Sequence, residues 1–553
     1  MGTIDITMLV GYFAIVGAIG WWASRRAGRS SEEYFLSGRD VGWFAIGASL
    51  FASNISTEHF IGLAGSGAKS GLAVGNFEWL ACFILLILGW LFVPFYIRTG
   101  VFTMPEFLER RYNRGCRMYL SIISLVAYVL TKISVSLYAG ALVIDLLFGF
   151  DQNSETAKGL LGVPYSVWVS AIVLLTATGA YTITGGLRAV IYTDLFQAFI
   201  LIGGALLLTF IAVSKLGGLG EVFERAPAGF FNMWKDPSHK DFPWTGILFG
   251  APILGVWYWC TDQMIVQRTL AAKNVENARR GTIFASYLKL LPVFILVLPG
   301  IAGTLLYPEI DTANHSDKIY PTMVEQLLPA GIKGLVVAAL LAALMSSLSS
   351  VFNSSSTLVV IDYYRELINP QASEKELVRV GRIAVGVIVV FGLLWIPVVA
   401  SAGGIFEYLQ AVQAYIAPPI AVVFLFGVLW KGANGKGAMS ALLVGFALGA
   451  LRLICEIGSK GDDPWVTHPW LVQYATINFL HIAVFLFLIA MDVLIVVSLM
   501  TGVPPAKKLE IFARDDAADA IAKPRTADFV FTIAIVNIVL VLWFVFSDLV
   551  FSA

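Results

Sequence analysis

The sequence predicts an all-helical integral membrane protein with about fourteen transmembrane helices. Hydrophobic residues make up 58% of the 553 positions and charged residues only 13%, whereas soluble globular chains carry roughly a quarter charged residues. Apolar runs of about 20 residues recur along the chain, and each could cross ~30 Å of hydrocarbon as a helix. Backbone polar groups in lipid must be satisfied within the spanning structure, and runs of this length achieve that as helices.

The first predicted span, 4–23, is followed by Arg25, Arg26 and Arg29. A secretory signal peptide carries its positive charge before the apolar stretch, so we expect this segment to be retained as a helix. The further spans are predicted at 44–66, 78–97, 119–149, 165–184, 189–214, 246–266, 281–305, 333–362, 381–400, 405–430, 437–454, 474–500 and 528–550.

Orientation is predicted from the basic residues of the loops, because cytoplasmic loops hold the excess of Lys and Arg. Placing the loop 24–43 in the cytoplasm puts most of the 37 Lys and Arg residues on that side. Both termini are then predicted to lie outside a cell membrane.

Two of the predicted spans are interrupted by polar residues. The second span contains the polar stretch 53–59, which is followed by three closely spaced glycines, and the seventh contains the stretch 257–263. Interrupted helices at corresponding positions of two halves are typical of a transport site. The pattern therefore favours two inverted repeats, spans 2–6 (44–214) and 7–11 (246–430), with the helices at 4–23, 437–454, 474–500 and 528–550 flanking them.

Other function classes find little support. The net charge is zero, and without long basic runs we expect no nucleic-acid partner. We also find no nucleophile motif or metal-ligand cluster, so we expect no enzyme activity. The cysteines have neither metal-type nor disulfide-type spacing and are interpreted as packing residues: Cys82, Cys116, Cys260 and Cys455.

Ionisable groups inside the bilayer indicate polar paths or paired charges, because each costs at least ~2.5 kcal/mol at a helix centre. For every one of them, pairing or snorkelling to the interface is the structural alternative, and Lys132, Asp362 and Asp492 are interpreted in that way. The remaining candidates are Glu58, His59, Glu78, Asp194, Asp262, Lys289, Glu407 and His481.

The predicted ninth span is rich in hydroxyl groups, with serines at 346, 347, 349 and 350. Hydroxyl oxygens at this density can coordinate a hard cation such as sodium, although small residues also let membrane helices pack closely. Aromatic residues near the interrupted spans can stack on a sugar ring or serve as ordinary packing: Phe77, Tyr258, Trp259 and Phe406.

Six segments resemble the sodium/glucose cotransporters of the solute:sodium symporter family, and the resemblance as a whole extends over roughly residues 5–455. They are FASNISTEHFIGLAGSGAKSG (51–71), GGLRAVIYTDLFQA (185–198), WYWCTDQMIVQRTLAAKN (257–274), ALMSSLSSVFNSSSTL (343–358), QASEKELVRVGR (371–382) and WKGANGKGA (430–438).

This resemblance implies one transmembrane transporter domain of the leucine-transporter type, with two inverted five-helix repeats. It also implies a sugar site in which a carboxylate, amides and an ammonium group satisfy hydroxyls while aromatic faces cover the ring. The implied sugar contacts are Asn54, His59, Glu78, Tyr258, Trp259, Lys289 and Gln410. The implied gates are Leu63 and Phe77 on the outer side, with Phe406 close by, and Tyr258 on the inner side.

By the same resemblance, sodium is the co-transported ion. Its main site maps onto the backbone carbonyls of Ala52, Ile55 and Ala343 and the hydroxyls of Ser346 and Ser347. The break in span 2 frees carbonyls for such a site. A further sodium site maps onto Asp194, Ser349 and Ser350, with pairing of Asp194 to Arg188 as its structural alternative.

The substrate identity stays open at this point. His59 matches the animal glucose carriers, whereas Glu58 fits the bacterial pattern and Gly255 has no side chain to supply a polar contact. We expect symport of a glucose- or galactose-like hexose, with inositol, sialic acid or an amino acid as the alternative solutes. An ion channel is the alternative from a different class, but no ring of charges or carbonyls is visible along a pore.

Overall fold

A computed structural model describes residues 2–26, 39–148, 160, 163–400, 405–459, 464–512 and 524–550. All regular secondary structure in these residues is helical. Among them, 11 helices are long and apolar enough to cross a membrane, and Tyr165–Thr176 forms a shorter apolar helix. The all-helical membrane fold is therefore confirmed, while the count of fourteen spans stays a prediction.

The first part of the chain holds one interrupted span and several long helices. Its α-helices are α1 (Thr3–Arg26), α2 (Trp43–Asn54), α3 (Thr57–Ser70), α4 (Asn76–Ile87), α5 (Val93–Thr99), α6 (Met104–Arg111), α7 (Arg114–Ala127), α8 (Ser134–Phe148), α9 (Tyr165–Lys215) and α10 (Leu219–Arg225).

The remainder of the chain begins with a second interrupted span. Its α-helices are α11 (Trp244–Phe249), α12 (Ala251–Gly255), α13 (Gln263–Leu270), α14 (Val275–Leu288), α15 (Leu298–Leu306), α16 (Thr312–His315), α17 (Ile319–Leu327), α18 (Ile332–Thr357), α19 (Glu374–Leu394), α20 (Ile396–Ala400), α21 (Ile405–Leu429), α22 (Gly435–Gly458), α23 (Pro469–Thr476), α24 (Phe479–Thr501) and α25 (Thr526–Val545).

Several of these helices continue directly into π-helical turns. Such turns disturb the regular backbone ladder and are frequent at functional sites. The described π-helical segments are Leu88–Phe92, Tyr128–Ile133, Val256–Thr261, Val293–Val297 and Leu358–Ile368.

Helix α9 joins two segments that the sequence predicts as separate spans. The break is predicted between 184 and 189, yet the backbone is helical throughout. A straight helix would separate Leu174 from Asp194 by about 30 Å. However, Leu174 and Leu344 pack against the same glycine, and Asp194 bonds to Ser346. Since Leu344 and Ser346 are close neighbours on α18, both parts of α9 contact the same stretch of α18, and their division into two spans stays a prediction.

Helix α18 lies at the centre of the bundle. Together with the π-helical segment that follows it, α18 forms a continuous helix over Ile332–Ile368. In the most apolar 18-residue stretch of this helix, 94% of the residues are buried, compared with 17% in the corresponding stretches of α1 and α25. The hydroxyl-rich part of α18 is therefore enclosed by other helices, where its polar groups require protein partners.

The first interruption separates α2 from α3 at Ile55 and Ser56. The last bond of the α2 ladder runs from the Ile55 N–H to the Phe51 carbonyl, at 2.9 Å. The carbonyls that follow Phe51 therefore lie at the end of the ladder, where a helix leaves acceptors without intrahelical donors. The position agrees with the polar stretch that predicts a break here.

The second interruption follows Thr261, where the backbone of Asp262 is extended. The Asp262 side chain caps α13 by accepting the Met264 N–H at 3.0 Å. An aspartate that caps a helix satisfies one of the orphan amides at the helix start. The break therefore lies within the polar stretch predicted for the seventh span.

Candidate functional site

A cavity of about 700 Å³, counting its part open to solvent, lies between the two interrupted spans. Its wall is formed by residues of α2, α3, α4, α12, α21 and the π-helical segment after α12. All seven residues that the resemblance assigns to sugar binding line this cavity: Asn54, His59, Glu78, Tyr258, Trp259, Lys289 and Gln410. Their shared wall is an observation, whereas their role in binding stays a prediction.

An ion pair holds the polar side of the cavity together. Lys289 Nζ donates to Glu78 and to the amide oxygen of Asn54. His59 Nε2 lies 3.9 Å from the other carboxylate oxygen of Glu78. The Lys289 and Glu78 side chains are only 1% and 6% exposed, so the cost of desolvating each charge is offset by its partner. The pair leaves the wall with no net charge and with several hydrogen-bonding groups.

Aromatic rings form another side of the cavity. The Asn54 amide donates to the Tyr258 hydroxyl at 3.1 Å, which links α2 to the π-helical segment Val256–Thr261. Lys289 Nζ lies 5.5 Å from the centroid of the Trp259 ring, within the range of a cation–π contact. The aromatic faces can therefore cover apolar parts of a ligand while the ion pair takes its polar groups.

Lys132 and Asp262 form a second ion pair beside Tyr258. Lys132 Nζ is 3.2 Å from the Asp262 carboxylate and 4.0 Å from the centroid of the Tyr258 ring. The Tyr128 hydroxyl also donates to Asp262. Lys132 is thus paired, as the sequence predicts, but only the structure identifies Asp262 as its partner.

The predicted gates differ in their relation to the cavity. Phe77 and Phe406 line it, and their rings make an edge contact with centroids 5.9 Å apart. The Phe242 ring also makes an edge contact with the Phe77 ring, with centroids 6.1 Å apart. Leu63 is fully buried and lies outside the residues that line the cavity. Phe77 and Phe406 thus contact each other on the cavity wall, and their role as the outer gate stays a prediction.

The segment that carries Phe242 is tied to the end of α3 by a glycine. Gly71 has a φ of +75°, and a Cβ on it would lie 2.2 Å from the Phe230 carbonyl oxygen. Only glycine tolerates both conditions. The neighbouring Leu72 N–H donates to that carbonyl at 2.7 Å, and Lys69 lies 3.5 Å from Asp241. These contacts hold the segment that carries Phe242 against the end of α3.

The residues predicted for the main sodium site lie on α2 and α18, which meet here. The Ser347 hydroxyl donates to the Ser53 carbonyl at 3.3 Å, next to the carbonyls of Ala52 and Ile55. Ser346, Ser347 and Ala343 are all buried in α18. Carbonyl and hydroxyl oxygens at a helix break suit a hard monovalent cation, so this set of donors fits the prediction.

Asp194 is fully buried beside these serines and receives several hydrogen bonds. Its carboxylate accepts from Ser49 at 2.7 Å, from Ser53 at 2.9 Å and from Ser346. The Arg268 guanidinium lies 3.4 Å away and is 1% exposed. Asp194 therefore joins α9 to α2, α13 and α18, and its charge is balanced by a buried arginine that the sequence reasoning did not identify.

Ser349 and Ser350 are connected to Asp194 only indirectly in the described contacts. The Ser349 hydroxyl donates to the Ser346 carbonyl at 2.9 Å. Ser350 donates to the same carbonyl at 2.7 Å and accepts from Arg268. The predicted trio is close in space, but Arg268 stands between two of its members. The side chain of Arg188, the alternative partner of Asp194, lies outside the described side chains.

One polar residue of the cavity wall was missed by the sequence reasoning. Gln413 lines the cavity three positions after Gln410 on α21 and is 6% exposed. The family resemblance extended to Gln410 alone. A glutamine one turn along an otherwise apolar helix face was the available signal.

Comparisons with known proteins agree with this architecture. The sodium:solute symporter family model matches residues 34–445. The chain is 41% identical to sodium/glucose cotransporter 4 of Danio rerio, with 91% of this chain and 80% of the relative covered. It is 40% identical to sodium/glucose cotransporter 1 of Sus scrofa (90% and 79%) and 42% identical to sodium/myo-inositol cotransporter 2 of Oryctolagus cuniculus (91% and 78%).

Solved structures of transporters share the fold. A substrate-bound, outward-open sialic acid symporter coupled to Na+ superposes with a TM-score of 0.74 at 22% identity, covering 91% of this chain and 99% of that one. A nucleobase-cation-symport-1 family transporter gives 0.53 at 17% identity, with 86% and 97% covered. The leucine-transporter type predicted for the fold is thus confirmed. The family match and these relatives make sodium the co-transported ion and the protein a transporter rather than an enzyme. The chain belongs to the sodium:solute symporter family.

Proposed function

We propose that this symporter carries a neutral hexose together with sodium, by alternating access to the cavity between the interrupted spans. The observation that supports the proposal is the set of seven sugar-type contacts on one wall, centred on the Lys289–Glu78 ion pair. A charge-balanced wall that both donates and accepts hydrogen bonds suits a polyhydroxylated substrate without charge. Trp259 and Tyr258 supply the faces for the apolar side of a sugar ring.

Coupling between sodium and sugar follows from their shared use of α2. Asn54 contributes to the cavity, and the break that directly follows it supplies the carbonyls proposed for sodium. A ligand shifts a conformational equilibrium only through different affinities for its two states. Because both ligands contact the same break, each can stabilise the same arrangement of α2 and α3, and their binding is then reciprocally coupled.

The decisive experiment is uptake of radiolabelled glucose and galactose into proteoliposomes that hold the full chain. We expect uptake when external sodium exceeds internal sodium and little uptake when choline or potassium replaces it. Equal hexose uptake in choline would contradict sodium coupling. Sodium-driven uptake of another solute, with no hexose uptake, would contradict the substrate proposal alone.

A cyclitol is the second candidate substrate. The specific observation in its favour is the 42% identity to a sodium/myo-inositol cotransporter, which is as high as the identity to the glucose cotransporters. myo-Inositol is also neutral and carries hydroxyls around a six-membered ring, so the same wall could satisfy it. Competition between labelled glucose and unlabelled myo-inositol in the same proteoliposomes separates the two substrates.

We also propose a second sodium ion at Asp194, near Ser349 and Ser350. The substrate-bound sialic acid symporter reveals a novel Na+ site, and here a fully buried carboxylate accepts hydrogen bonds from three serine hydroxyls. Arg268 already balances this carboxylate. Two cations on one buried carboxylate repel each other, so occupation by sodium requires Arg268 to move away.

A further inference from the structure

Six polar residues of the cavity wall fall into two groups that differ in their hydrogen bonding. The first group is linked internally, because Lys289, Glu78, Asn54 and Tyr258 bond to one another. The second group consists of Gln410 and Gln413 on α21. Among the residues that the structure describes, neither glutamine amide has a hydrogen-bond partner. The first group is organised before a ligand arrives, whereas the second has hydrogen-bonding capacity left for one.

One face of α21 forms the wall at this side of the cavity. Phe406, Leu409, Gln410 and Gln413 line it, at the spacing i, i+3, i+4 and i+7 that places residues along one helix face. Phe406 is in ring contact with Phe77. Gln413 lies seven residues further along the helix, about 10 Å from that contact. Gln413 therefore lies at the end of this wall that is farther from the Phe77–Phe406 contact, which we call the deep end of the cavity.

The side chain of Gln413 lies in the cavity wall beside apolar residues. It is 6% exposed, and the wall of the same cavity includes the apolar side chains of Leu254, Leu409 and Ile84. Neither amide atom of Gln413 is among the fully buried unsatisfied atoms of the described residues, so the amide reaches the open space of the cavity. A substrate hydroxyl can bond to this amide because it both donates and accepts, as the amide does.

We infer that Gln413 is a specificity-determining residue that hydrogen-bonds a hydroxyl of the substrate at the deep end of the cavity. The inference rests on the proposed function, since it requires a neutral polyhydroxylated substrate. Residues at i and i+3 have Cβ atoms about 5–6 Å apart, so Gln410 and Gln413 reach different hydroxyls of one six-membered ring. The substrate is thus bound at three places: by the ion pair, by Gln410 and by Gln413.

The test compares a transported sugar with its monodeoxy derivatives, each lacking one hydroxyl. The full chain is reconstituted in proteoliposomes as wild type, as Gln413→Met and as Gln473→Met. Methionine keeps the approximate size of glutamine and removes its hydrogen-bonding groups. Gln473 is an exposed glutamine on α23, outside the cavity, and makes a matched control. The parent compound is whichever of glucose, galactose and myo-inositol the wild type transports fastest.

The readout is the ratio of kcat/KM for the parent compound to kcat/KM for each deoxy derivative. This ratio does not depend on the fraction of protein that folds. We expect wild type to disfavour one derivative by roughly ten-fold and Gln413→Met to transport that derivative and the parent equally well. The ratios for the other derivatives, and all ratios of Gln473→Met, should stay at the wild-type values.

Two outcomes overturn the inference in distinguishable ways. If Gln413→Met transports sugar but keeps every wild-type ratio, Gln413 makes no substrate contact and the proposed function stands. If the wild type transports none of the three parent compounds under a sodium gradient, the proposed function fails and the role of Gln413 fails with it.

Discussion

Neutralising the Lys289–Glu78 ion pair separates a binding role from a structural one. In the single variants Lys289→Met and Glu78→Gln, one charge is removed and the other stays buried. Because both side chains are at most 6% exposed, the remaining charge is uncompensated, and breaking such a pair costs about 3–5 kcal/mol of stability. The double variant removes both charges together. We therefore expect its unfolding temperature to recover towards wild type.

Sugar affinity should behave differently from stability. A hydrogen bond to a charged group contributes about 1.5–3 kcal/mol, which corresponds to a roughly 10- to 150-fold change in affinity. The double variant recovers its stability but lacks both charged groups, so we expect its affinity to stay reduced by that factor. The assay is equilibrium binding of radiolabelled sugar to purified protein at saturating sodium, together with thermal unfolding of the same samples.

The control is a comparable change in an ion pair outside the cavity. Arg280 and Asp528 join α14 to α25 at 2.9 Å, and Arg280→Met with Asp528→Asn should leave sugar affinity unchanged. Wild-type affinity in the Lys289/Glu78 double variant would refute the reasoning, because the pair would then serve only to hold α4 against α14.

Three further outcomes are expected. Ser347→Ala should raise the sodium concentration for half-maximal uptake, because it removes a hydroxyl beside the Ser53 carbonyl. An unchanged sodium dependence would show that this serine serves helix packing and not sodium binding. Asp194→Asn should lower the sodium-to-sugar ratio, measured from reversal potentials, from two to one, and a wild-type ratio of one would make this carboxylate structural. Phe406→Ala should speed the release of labelled sugar from sodium-loaded protein, since it removes the ring contact with Phe77. An unchanged release rate would show that other residues form the outer gate.

The sequence indicated the architecture because the local signals were strong. Apolar runs of bilayer length predict helices, and the polar stretches around Asn54 and Asp262 predict the two interruptions. The resemblance then assigned Lys289, Glu78 and Gln410 to sugar contacts, and the structure places all three on one cavity wall. The length of an apolar run and the polarity of a short stretch are properties of residues that are neighbours in sequence, so they can be recognised without knowledge of the fold.

Pairing between distant helices could not be predicted in the same way. The sequence places Arg268 near the end of a predicted span, where an arginine can snorkel to the interface, yet it is 1% exposed and bonded to Asp194. Asp362 was interpreted as a paired group, but its partner Arg117, at 2.8 Å, became identifiable only from the structure. Such partners are set by the packing of helices that are far apart in sequence, which residue patterns do not encode directly.

The contact between Asp194 and Arg268 also has a consequence for biosynthesis. The two residues are 74 positions apart in sequence, and translation adds about 5–20 residues per second. The carboxylate is therefore made roughly 4–15 s before its only described cationic partner. During that interval its cost at a helix centre is about 2.5–3.5 kcal/mol. The segment Val190–Lys215 should thus remain in contact with the insertion machinery, or with water, until α13 has been synthesised.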